Sequence, residues 1–315
     1  MAELIIVFRE VLEATLIVGI LYTYLIKVGN HSAIIRLWQG VLVALAASLV
    51  GSLLFYELAG GFTGRSAKIF EGIVMILAAG ILGSMILWMA KNSNISGELQ
   101  EQASKALKAD KLGFGIFSLA FISVFREGIE TILFLFGVTT QKGGLSIPLS
   151  FLGAALGIGA GYMIFIQGKK LPIKTFFNVT SGILIFVAAG MLTYGVHELE
   201  SAKVIPYLGG NVDIEKGSVK ATRVNGDSKN FVLDKNLDKN NVVNSAKKWA
   251  SRTWDINPPK NKDGSYPIFH DKGAVGGLMK GLFGYNGDPG WVELIVWITA
   301  VLGMNFMWKR VAFQG

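Results

Sequence analysis

No cysteine occurs anywhere in the 315 residues. That excludes disulfides, thiolate-bound metals and iron–sulfur clusters. Histidine is nearly as scarce, with three in the chain. None completes the Glu-x-x-His spacing of carboxylate-bridged di-iron bundles. Charged residues make up 17% of the chain, against roughly 25% in soluble domains. No basic stretch is interleaved with aromatics that could stack bases. The net charge of +8 therefore reads as loop bias in a membrane protein, and nucleic acid is excluded as a partner.

Apolar residues and glycine take the place of charge. The chain is 51% hydrophobic with 39 glycines, and its mean hydropathy is +0.48. A hydrocarbon core needs about 20 apolar residues per helix. Seven stretches meet this, near 3–26, 34–56, 67–90, 112–138, 147–167, 174–197 and 291–309. The first lacks a basic leader and carries charges in its middle, so it is expected to be a mature helix and not a signal peptide. Between the third and fourth, "NISGELQEQASKALKADK" reads as an amphipathic connecting helix. Between the sixth and seventh, a polar segment holds the turn signals "NGD", "NPP" and "KDGSYP". It is expected to be an extramembrane insertion, partly ordered at best.

Lysine and arginine in the short loops set an orientation. One side holds Lys27, Arg36, Lys91, Lys105, Lys108, Lys111, Lys169, Lys170, Lys174, Lys309 and Arg310, and the other Arg65, Lys68 and Lys142. The N-terminus is expected outside and the C-terminus in the cytoplasm, in a bilayer that is the inner membrane of a bacterium.

The sequence repeats itself. "FREVLE" from Phe8 returns as "FREGIE" from Phe125, 117 residues later. The second helices share a small-residue ladder, Gly40, Ala44 and Ser48 against Gly153, Gly157 and Gly161. The third helices share Ala-Ala-Gly at 78–80 and at 188–190. Three helices per copy force the two copies to cross the membrane in opposite senses, the inverted-repeat plan of many transporters. The expected fold is an all-α membrane protein with seven transmembrane helices. They form two inverted three-helix repeats (1–91 and 112–198), joined by the connector 92–111. The extracytoplasmic insertion 199–290 and the seventh helix with its tail (291–315) follow.

Each copy places Arg, Glu and Glu on one helix face at i, i+1 and i+4. These are Arg9, Glu10 and Glu13, then Arg126, Glu127 and Glu130. One charge at the bilayer centre costs about 2.5–3.5 kcal/mol on insertion scales, so six unpaired would cost roughly 15–20 kcal/mol. A structural ion pair locking the first helix to the fourth would need one Arg and one Glu. Each copy has a surplus acid, and the whole motif is duplicated. Four glutamates and two arginines leave a formal −2, which with all-oxygen ligation suits a hard cation.

Doubled Arg-Glu-x-x-Glu motifs in the first and fourth of seven helices resemble those of the oxidase-dependent iron permeases of fungi and bacteria. "IFEGIVMILAAGIL" around Glu71, "GVHELESAKVIP" around His197 and "WDINPP…GLFGYNGDPGWVEL" resemble that family too. The resemblance covers nearly all of the chain except about 208–250. It implies an iron permease, not an enzyme, with Glu10, Glu13, Glu127 and Glu130 as iron-handling carboxylates and Arg9 and Arg126 as their partners. Glu71 is added as a metal ligand, because the resemblance includes it and because it sits inside an apolar run. Iron is then the transported substrate and no cofactor is implied. A ferroxidase outside the membrane, or a periplasmic iron-delivery protein, is the implied partner. One departure is that 199–290 carries no dense acidic cluster to collect iron.

His197 and Glu198 are candidates for an outer vestibule, with plain interfacial solvation as the alternative. Glu57 and Glu200 are expected to be solvated, and Met85 and Met89 to be core packing. The competing functions are a permease for lead or manganese, an intramembrane ferroxidase, and a metal sensor.

Overall fold

The computed structural model describes residues 2–91, 95–109, 114–142, 144–165, 173–215, 217–233 and 238–312. Among them are ten helices and three short strands. The loop residues Lys111, Lys169 and Lys170 used for orientation lie outside the described residues. Five helices are long and apolar enough to cross a membrane. The chain divides into two compact units, one of 1–62, 81–182 and 307–315, the other of 63–80 and 183–306.

The first unit begins with α1 (Ala2–Val28) and α2 (His31–Gly60). The reversal between them is set locally. Gly29 takes a φ of +73°, and the amides of Gly29 and Asn30 donate to the Ile26 and Leu25 carbonyls at 3.0 and 3.2 Å. This is the Schellman closure that glycine favours. The Asn30 side chain then accepts from the Ala33 amide at 3.1 Å and caps α2. α2 buries Ala33, Leu37, Gly40, Val41 and Ala44 at helical spacing. Ile35, Leu42, Leu49 and Leu53 on its other faces are exposed. A helix apolar on all sides, with greasy residues outward, suits lipid as its surroundings.

This unit also holds the C-terminal part of α3 (Gly64–Lys91), then α4 (Ile95–Ala109), α5 (Phe114–Lys142) and α6 (Ile147–Phe165), with the first turns of the seventh helix and the last turn of the tenth. α4 occupies the segment expected to form the connector. The most extensive packing is α1 on α6, then α2 on α5, then α1 on α5. Glycines permit it. A Cβ at Gly40 would stand 2.5 Å from the Phe117 carbonyl oxygen of α5, and one at Gly153 would stand 2.6 Å from the Leu4 carbonyl oxygen of α1. The small-residue ladders read from the sequence are therefore helix-packing surfaces.

The second unit contains most of α7 (Ile173–Ser201) and of α10 (Trp291–Ala312). α3 meets α7 backbone to backbone at Gly72 and Gly195. A Cβ on either would lie 2.9 Å from the other's carbonyl oxygen. The segment expected to be partly ordered contains a three-stranded antiparallel sheet in the order β1-β2-β3. Its strands are β1 (Asn211–Glu215), β2 (Ser218–Thr222) and β3 (Ser228–Val232), and helices α8 (Lys239–Ala250) and α9 (Ala274–Phe283) follow. The "NGD" signal forms the β2–β3 turn, with Gly226 at a φ of +95° and the Arg223 amide donating to the Asp227 carbonyl at 2.8 Å. Val219 and Ala221 of the sheet pack on Ala246 and Ala250 of α8 in a small core, flanked by Phe231 and Trp249. The Arg223 guanidinium covers the Trp249 ring, 4.3 Å from its centre.

Candidate metal centre

Both charged motifs lie in the first unit, on α1 and α5, which pack against each other. Their registers are held by an exchange of bulk between neighbours. In α1, Val11 meets Gly157 of α6. In α5, the equivalent residue is Gly128, where a Cβ would overlap the Ser48 side chain of α2.

Arg9, Glu10, Glu13, Glu127 and Glu130 are all buried. Arg9 donates through Nη1 to Glu10 Oε1 at 2.9 Å. Its Nε stands 3.0 Å from Glu13 Oε1, off hydrogen-bond geometry. Its Nη2 donates to the sulfur of Met89 at 3.1 Å. Met89 therefore does more than fill space. Arg126 donates through Nη2 to Glu127 Oε1 at 2.7 Å, and its Nε lies 3.5 Å from Glu130 Oε1. Its guanidinium sits 5.9 Å from the centre of the Trp88 ring. Arg126 and Glu130 line a cavity of about 410 Å³ with Ile81, Ser84, Met85 and Trp88.

Glu10, Glu127 and Glu130 converge from the two helices, with one oxygen of each within 4.8 Å of the others. Glu10 Oε2, Glu127 Oε2 and Glu130 Oε2 are buried and accept no hydrogen bond. A buried carboxylate oxygen without a donor is costly. Carboxylate oxygens bind a first-row divalent ion at about 2.0–2.2 Å, which sets donors at most ~4.4 Å apart. Three oxygens within 4.8 Å of one another stand near that limit. The donors are all oxygen, as a hard cation prefers.

The other candidates fall elsewhere. Glu71, Glu198 and His197 belong to the second unit, and the trio to the first. Glu71 feels the charge of Glu198, and the Tyr194 hydroxyl bonds the Glu198 carboxylate. Glu198 is buried near the end of α7. Glu57 is exposed, as expected. Glu200 corrects the sequence reading, because it is 2% exposed where solvation was expected. The end of α7 tucks it against the start of α10, next to Glu293. Glu293 was not singled out from the sequence. Its signal was an acid in the first turn of an apolar helix, which is also an ordinary helix-start feature.

A profile of the iron permease FTR1 family matches residues 1–221. An uncharacterised protein of Archaeoglobus fulgidus is 29% identical over 307 residues, spanning 96% of this chain and 94% of that one. The ferrous iron permease EfeU of an Escherichia coli O6:H1 strain is 34% identical over 201 residues, 63% of this chain and 73% of that one. The EfeU of Yersinia pestis is 33% identical over 201 residues, 63% of this chain and 71% of that one. No solved structure matches the chain. With the matched region holding both charged motifs, the chain belongs to the iron permease FTR1 family.

Proposed function

We propose that this integral membrane protein is a permease for ferrous iron, and that Glu10, Glu127 and Glu130 form the site through which the ion passes. The observation that carries the reading is the meeting of those three carboxylates from α1 and α5, each with a buried oxygen free of hydrogen bonds. Iron is the proposed cargo because the family is one of iron permeases, and ferrous iron because the EfeU relatives are named for it.

In this reading the arginines hold the empty site together. Arg9 and Arg126 each neutralise the glutamate that follows. An arriving cation takes over that neutralisation, so each guanidinium gives up its carboxylate. Arg126, half exposed and beside the Trp88 cavity, has room to withdraw. Arg9 keeps Glu13 and the Met89 sulfur. The exchange of partners lowers the cost of moving a divalent ion through a low-dielectric site.

The inverted repeat supplies the two-sided access a permease needs. α1, α2 and α3 would correspond to α5, α6 and α7, with α10 as the seventh crossing helix. The cross-pairing of α1 with α6 and of α2 with α5 supports this, because a two-fold relation between copies generates that reciprocal pattern. The proposed orientation keeps the N-terminus outside and the C-terminus in the cytoplasm.

Uptake of radioactive ferrous iron into proteoliposomes tests the reading. Glu10→Gln and Glu130→Gln should each lower uptake at least tenfold with unchanged elution in size-exclusion chromatography. Accumulation at the wild-type level in either variant would falsify it. Manganese and lead as competitors in the same assay decide which cation the site prefers.

A further inference from the structure

A second group of donors stands in the other unit. His197 and Glu200 lie one turn apart near the end of α7, and Glu293 lies in the first turn of α10. His197 Nδ1 is 2.8 Å from Glu293 Oε1. The other Glu293 oxygen accepts from Asn286 Nδ2 at 2.7 Å, which fixes the carboxylate plane. One donor atom from each of His197, Glu200 and Glu293 lies within 4.8 Å of the others.

Glu200 distinguishes this group from a simple His–Glu pair. It is 2% exposed, and among the described residues its carboxylate has no hydrogen bond and no ion pair. The titratable groups that face it are Glu293, His197 and Lys248, and Lys248 makes no ion pair with it. Glu200 and Glu293 therefore bring two carboxylates together around one imidazole. Two buried carboxylates and one imidazole offer a divalent cation two oxygen donors and one nitrogen donor. A hydrogen bond that orients the carboxylate, of the kind Asn286 donates, is usual around metal-bound carboxylates. Glu200 also lines a cavity of about 650 Å³ with Tyr207, Asn211 and Lys247, which offers an entry route.

We propose that His197, Glu200 and Glu293 form a second cation site, for a divalent transition-metal ion. One imidazole nitrogen and two carboxylates suit Fe²⁺, Mn²⁺ or Zn²⁺ better than Mg²⁺ or Ca²⁺. The site is a matter of binding and stands whether or not the Glu10, Glu127 and Glu130 centre carries iron.

The nitrogen donor makes it separable from that centre, whose three donors are all oxygen. The test uses the full chain in detergent, without an affinity tag, in nitrogen-free buffer, loaded with Mn²⁺. Pulsed EPR should show ¹⁴N modulation from a directly bound imidazole in the wild type and in Glu10→Gln/Glu130→Gln. The modulation should vanish in His197→Gln. Glu200→Gln removes no hydrogen bond seen in the fold, so it should elute as the wild type does and bind Mn²⁺ at this site at least tenfold more weakly. Absent modulation in the wild type, its survival in His197→Gln, or unchanged affinity in a normally eluting Glu200→Gln would each overturn the proposal.

Discussion

Arg126 takes the place in α5 that Arg9 takes in α1, and each donates to the glutamate that follows, at 2.7 and 2.9 Å. Their surroundings differ. The Arg9 side chain is 1% exposed and the Arg126 side chain 50%. Removing one partner of a buried ion pair typically costs about 3–5 kcal/mol, because the other charge is left buried and uncompensated. A half-exposed guanidinium is worth far less. Arg9→Ala should therefore lose most of its folded protein, while Arg126→Ala should melt close to the wild type. Thermal unfolding in detergent, followed by tryptophan fluorescence, checks the ordering. Equal losses in the two variants would show that the asymmetry has no energetic weight.

Glu13 and Glu130 hold matching places in the two motifs but different places in the structure. Glu130 belongs to the converging trio, and Glu13 lies against Arg9. Glu130→Gln should weaken ferrous iron binding and abolish uptake together. Glu13→Gln should also lower uptake, but by leaving Arg9 to hold Glu10 more firmly, so its loss of equilibrium affinity should be at least threefold smaller than that of Glu130→Gln. Titration calorimetry with ferrous iron under argon, set beside the uptake assay, separates the two. An equal loss of affinity in Glu13→Gln would place that residue in the trio's company.

The motif was readable from the chain alone because charge inside an apolar run is costly wherever it stands, and here it stands twice. The helices followed from hydrophobic length, and their close contacts from the spacing of Gly40, Gly153 and Gly157. The sheet was not readable. Its strands are five residues each, set in a polar segment, and β1 and β3 face largely outward, so no alternation marks them. The cluster around Glu293 was hidden for another reason. Its histidine lies 96 residues away along the chain, and a lone acid at a helix start is common for the sake of the helix dipole alone. Glu200 was misread because its burial depends on how the end of α7 packs, which periodicity does not report.

Trp249 tests whether the sheet and α8 fold as a local unit. Its ring lies against Phe231, 6.5 Å between centres, and under the Arg223 guanidinium. Replacing a packed Trp by Ala in a core costs about 3–5 kcal/mol. A core of four buried residues has little stability to spare. Trp249→Ala should expose the segment between about residues 211 and 250 to limited proteolysis. Ferrous iron binding at the α1–α5 centre should not change. Undiminished protease resistance would mean that this core is held from elsewhere in the second unit.

Gly153 and Gly80 give opposite expectations for the same substitution. A Cβ at Gly153 would press on the α1 backbone, 2.6 Å from the Leu4 carbonyl oxygen, whereas one at Gly80 meets nothing within 4 Å. Overpacking a close contact costs typically 1–3 kcal/mol, and here it would push α6 off the helix that carries Arg9, Glu10 and Glu13. Gly80→Ala in an open helix position gains roughly 0.5–1 kcal/mol from backbone entropy. Gly153→Ala should therefore lower the melting temperature and the rate of iron uptake, and Gly80→Ala should lower neither. If Gly153→Ala melts normally but transports slowly, the α1–α6 contact serves motion more than stability. If it does neither, the tight approach of these two helices is not what holds the carboxylates in place.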